Sequence, residues 1–116
     1  MTVIYLTRDL MFSSRVAGAA EAMGVSLEIV ADAETAIARA SENTRLVILD
    51  LESMSDDVAL IVARLREAPH PPHIIAYAPH VHEQTLASAS AAGCDEVLPR
   101  GRFHREFVEL LEHAIE

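Results

Sequence analysis

The sequence contains no lysine; all nine of its basic residues are arginine. Chemistry that depends on a lysine amine, such as Schiff-base formation or the phosphate grip of a P-loop, is therefore excluded. Tryptophan is also absent and there is one cysteine, Cys94. A lone thiol cannot close an internal disulfide, which agrees with a reducing, cytoplasmic setting and a buried structural role. Positive charge is scarce overall: nine basic residues face eighteen acidic ones, a net charge of −9. Such a surface repels phosphates and anionic lipid, so neither nucleic acid nor a membrane surface is an expected partner. No apolar run approaches the roughly 18 residues of a membrane span. Met1 leads into an apolar stretch without a basic n-region, which argues against a signal peptide.

What is present is apolar. Hydrophobic residues make up 51% of the 116 residues, and mean hydropathy is +0.21. Disorder needs the opposite composition, and this length suits one domain, 1–116, with one core. Five short runs rich in β-branched residues read as strands: Thr2–Thr7, Val25–Val30, Arg45–Asp50, His73–Ala78 and Glu96–Pro99. Four are nearly continuous in hydrophobicity, as strands covered on both faces are. The second alternates most and is expected nearer an edge.

Helical spacing fills the intervals, over Asp9–Met23, Asp32–Glu42, Ser55–Ala68, His82–Ala92 and Phe103–Ile115. Asp32 has the character of an N-cap, Asp56 and Asp57 suit a helix start, and Gly24 and Gly93 suit helix ends. Strict β-α alternation implies right-handed crossovers, a parallel sheet and helices on both sides. Function in such sheets gathers beyond the carboxyl ends of the strands. That directs attention to Thr7–Asp9, Asp50–Ser53, Ala78–His80 and Pro99–Gly101.

Over nearly its whole length the chain resembles the receiver domains of two-component response regulators. RLVILDL at 45–51 and AAGCDEVLPR at 91–100 carry the resemblance, set in the same β-α order. It implies a flavodoxin-like (βα)5 three-layer sandwich with strand order 2-1-3-4-5. It also places Asp50 where receivers accept a phosphoryl group from a histidine kinase, using Mg²⁺. The family's accessory positions have changed. Its acidic pair aligns with Thr7 and Arg8, its hydroxyl with Ala78, its aromatic switch with Val97 and its lysine with Arg100. A one-residue shift makes Asp9 the second member of the pair and leaves Arg8 as the first.

An arginine keeps its charge and pairs bidentately with carboxylates. Arg8 is therefore expected beside Asp50, or paired with Asp9, roughly in the place of Mg²⁺. The resulting expectation is a degenerate receiver, a pseudo-receiver, with no metal or other cofactor and no enzymatic activity. It would act as a protein-interaction module or homodimer through its fourth helix, fifth strand and fifth helix. One alternative is a receiver that still accepts phosphate on Asp50 in an atypical pocket. Another is a sensor of small anions using Arg8 and Arg100.

Other residues receive plainer readings. The six histidines include His80 and His82 near the crevice, but one HxH pair falls short of the three or four ligands zinc needs. Ser13 and Ser14 read as hydroxyls on a helix surface. Phe103 reads as an anchor for the last helix, and Arg100-Gly101-Arg102 as a basic loop whose arginines pair with local carboxylates.

Overall fold

The computed structural model describes residues 2–55 and 57–115; Asp56, expected at a helix start, lies outside them. Five strands, β1 Thr2–Leu6, β2 Ser26–Val30, β3 Thr44–Asp50, β4 His73–Ala78 and β5 Glu96–Pro99, form one parallel sheet. Their order is β2-β1-β3-β4-β5, as the resemblance implies, with β2 at an edge. Between them run α1 Leu10–Ala22, α2 Ala33–Arg39, α3 Val58–Arg66 and α4 Glu83–Ala91, and α5 Arg100–Ile115 follows β5.

Successive strand residues point to opposite faces, so each central strand feeds two cores. Ile4, Leu6, Val47, Leu49, Ile74 and Ala76 pack against α2, α3 and α4. Val3, Tyr5, Leu46, Ile48, Ile75 and Tyr77 pack against α1 and α5, where Phe12, Phe103 and Phe107 cover them. Phe103 is fully buried, as an anchor should be.

The helix ends follow local chemistry. Asp9 caps α1 by accepting from the Phe12 amide, and Asp32 caps α2 by accepting from Thr35. Asp57 caps α3 through the Ala59 amide, so that helix starts later than the apolar spacing suggests. Helix α2 stops at Arg39, short of Glu42, because Ser41, Asn43 and Thr44 bond to one another instead. Such side-chain-to-backbone bonds compete with helix propagation. Gly24 and Gly93 take the positive φ values, +72° and +98°, that a turn after a helix requires.

The basic stretch Arg100-Gly101-Arg102 is not a loop. β5 passes into α5 with no intervening residue, and these three form the first turn of that helix. Ser13 also departs from expectation: it is buried, with its hydroxyl donating to the Leu10 carbonyl.

Candidate functional site

β1 and β3 end side by side at the sheet's carboxyl edge, placing Thr7 next to Asp50. Both are buried, 2% and 6% exposed. A buried carboxylate needs hydrogen-bond donors, and Asp50 has three. Thr7 Oγ1 donates to Oδ2 at 2.7 Å, Ser53 Oγ donates to the same oxygen at 2.9 Å, and the Glu52 amide donates to Oδ1 at 3.2 Å. The last bond makes Asp50 the cap of a single 3₁₀ turn, Leu51–Ser53.

Each hydroxyl also accepts. The Asp9 amide donates to Thr7 Oγ1 and the Arg8 amide donates to Ser53 Oγ. The loop entering α1 thus reaches Asp50 through two side-chain relays. All three groups that donate to the carboxylate are uncharged.

The expected pairing of Arg8 with Asp50 or Asp9 is not formed. Its side chain is exposed and turns away, Nε donating to the Ala31 carbonyl at 3.1 Å. There it lies near Asp32, whose carboxyl is held below its usual range by Thr35 first and by Arg8 to a smaller degree. The cation facing the pocket is Arg100. Its guanidinium lies 3.5 Å from Glu52 and 3.8 Å from Asp9, tying the start of α5 to the 3₁₀ turn and to the cap of α1. Arg102 pairs with Glu106 along its own helix, so both arginines of the stretch meet local carboxylates. Sequence spacing could not choose between Arg8 and Arg100, because loop direction decides it.

The hydroxyl from β4 is also relocated. Asp50 stands in register with Tyr77, while the neighbouring Ala78 turns its methyl into the opposite core. Tyr77 Oη meets Tyr5 Oη at 2.6 Å, and the Tyr77 ring lies flat on Phe103 at 4.2 Å. Burial pushes the Tyr5 hydroxyl up to about 12, with the Asp50 charge adding to it and the bond to Tyr77 opposing. Burial also raises Tyr77, with the Tyr5 hydroxyl next in effect. Both remain protonated, and one donates to the other. Val97, in register with Ala76, is partly buried against the other core.

Ser53 falls in a stretch the sequence points to, but its bond to Asp50 was not foreseen, and Tyr77, in register with Asp50, was not singled out. Period-2 alternation counted forward from Ile75 puts Tyr77 on the α1–α5 face, and a serine three residues after Asp50 suits a tight turn. Neither signal was decisive without the register.

A divalent cation that keeps its waters needs several oxygen ligands of negative charge. Where the resemblance implies an acidic pair, this chain offers a hydroxyl already bonded to Asp50 and an arginine. Among the described residues, no group of three or more His, Cys, Asp or Glu could hold a metal ion. The donor set does not fit Mg²⁺. His80 and His82 sit in the turn before α4, both exposed, and the His82 side chain makes no capping bond.

At the opposite end of the sheet, Arg66 donates to Asp95, to the Gly93 carbonyl and to the Pro72 carbonyl. Asp95 also accepts from the Ile74 amide. Burial works against its charge, but that amide and Arg66 prevail and hold its carboxyl below the usual range.

No sequence-family model and no curated protein sequence matches the chain. Solved structures do. The chain is similar to the receiver domain of the sensor histidine kinase PA1611 from Pseudomonas aeruginosa, solved with a magnesium ion in its active-site cleft. Identity is 17%, the TM-score is 0.76, and the match covers 98% of this chain and 96% of that one. The receiver domain of NtrX from Brucella abortus is 19% identical with a TM-score of 0.74, covering 98% and 97%. HP1043, an orphan response regulator of H. pylori, is 13% identical with a TM-score of 0.76, covering 100% and 97%. The chain has the receiver-domain fold.

Proposed function

We propose that this chain, built on the receiver-domain fold, is a signalling module that works by binding protein rather than by accepting phosphate. The observation that carries the reading is the state of Asp50. Its Oδ2 already accepts two hydroxyls, its Oδ1 accepts an amide, and the nearby Arg100 is paired with Glu52 and Asp9. Phosphoryl transfer depends on positioned cations that neutralise developing charge. Here the metal-binding carboxylates are replaced, so the usual Mg²⁺-dependent transfer loses its electrostatic support. On this reading the domain is not an enzyme and works in the cytoplasm of a bacterium.

Binding is assigned to the face formed by α4, β5 and α5. Helix α4 buries only Ala89, and its Ala87, Ser88, Ser90 and Ala91 are exposed small residues over which another helix can approach closely. Val108 on α5, the helix that packs on the opposite face of the sheet, is 41% exposed.

The test is incubation with Mg²⁺ and acetyl phosphate, read by intact mass. The expected result is no Asp50-dependent gain of a phosphoryl group; stoichiometric labelling lost in Asp50→Asn would overturn the reading. For the face, Ala87→Arg with Ala91→Arg should abolish self-association or partner capture while leaving the unfolding midpoint unchanged.

A further inference from the structure

Helices α1 and α5 diverge at the sheet's carboxyl end and leave a cleft of about 390 Å³ lined by Asp9, Met11, Phe12, Arg15, Arg100 and His104. Its lining does not include Asp50. Three features of its lining stand out.

The first is Arg15. In a chain with twice as many acidic as basic residues, its guanidinium forms no ion pair among the described residues. It lies 5.5 Å from the centre of the Phe12 ring. The second is His104, whose ring stacks on Phe12 at 3.7 Å and 15°. That stacking fixes the imidazole, yet its buried Nε2 has no hydrogen-bond partner among the described residues. The third is Met11, 86% exposed at the cleft's rim. Arg100 adds a second cation, held only by the long contacts of 3.5 and 3.8 Å. Asp9 is the one carboxylate in the lining, and it is engaged in capping α1.

We infer that this cleft binds a small phosphate monoester, with the phosphoryl oxygens between Arg15 and Arg100 and the organic part against Met11. Guanidinium groups suit phosphoryl oxygens because their donors form a planar fork. The His104 imidazole lines the same cleft. Burial first, and then the charges of Arg100 and Arg15, hold that imidazole below its usual range; Asp9 and Asp50 oppose them. A bound dianion would offset both arginines.

The inference is independent of the protein-binding proposal, since the loss of Asp50 labelling and the binding of an anion here are separate measurements. Phenyl phosphate and inorganic phosphate, titrated into the full chain, should each move the His104 ring signals saturably in NMR spectra. Phenyl phosphate should bind more tightly, by calorimetry, and Met11→Ser should remove that difference. Arg15→Gln should weaken both anions by about tenfold or more, the loss of one charge-assisted contact. Because Arg15 forms no ion pair, its unfolding midpoint should not move. No saturable shift with either anion, or equal affinity in Arg15→Gln, would overturn the inference.

Discussion

Replacing Thr7 by valine isolates the contribution of the Asp50 network. Valine keeps the shape of the side chain, so no cavity is opened, but the hydroxyl that joins β1 to Asp50 is lost. The bond removed is 2.7 Å long and ends on a carboxylate that is 6% exposed. A hydrogen bond to a charged group contributes about 1.5–3 kcal/mol, and the Asp9 amide, which also loses its acceptor, adds about 0.5–1.5 kcal/mol. A total of roughly 2–4.5 kcal/mol is a large part of the stability of a domain this size. In urea unfolding the midpoint should fall by about 1 M or more at an unchanged slope. In an Asp50→Ala background the same substitution should cost much less, because the charge it served is gone. A cost below about 0.5 kcal/mol, or an equal cost in both backgrounds, would refute the view that Thr7 serves Asp50.

Three further outcomes are expected. Tyr5→Phe and Tyr77→Phe should each cost about 1–3 kcal/mol by stranding the other's buried hydroxyl, while the double variant costs less than their sum; additive unfolding energies would contradict this. Folding holds the His104 imidazole below its usual range, so the unfolded chain binds more protons once the pH drops below about 6.5. Stability should therefore fall as pH drops through that value, and the part due to His104 should vanish in His104→Gln, as pH-dependent unfolding would reveal. Burial pushes the Cys94 thiol up to about 11, with Arg66 opposing. Alkylation at pH 8 should then be slow in the native protein and fast in urea.

Much of the fold could be read from the residues, because its signals are local. The β-branched runs, the caps at Asp32 and Asp57, and the turn glycines each act within a few positions. The edge position of β2 followed from its alternation. The site was less legible, since it depends on how loops return across strand ends. Arg8 and Arg100 carry the same charge, and only the path of the β1–α1 loop turns Arg8 toward Ala31. Ala78 and Tyr77 are adjacent, and only the pairing with β3 decides which stands opposite Asp50. Gly101 suggested a loop, yet α5 forms through it with ordinary negative φ.

That direct passage from β5 into α5 has a mechanical consequence. Between two elements, a loop normally absorbs changes of direction through a few free dihedrals; here none intervenes. The sixteen residues of α5 make an arm about 24 Å long whose fulcrum is the edge strand itself. A tilt of about 5° at Pro99 would displace the far turn by about 2 Å. A partner gripping β5 would thus steer the last turn of α5, and one gripping that turn would load the sheet edge, so the two grips cannot act independently.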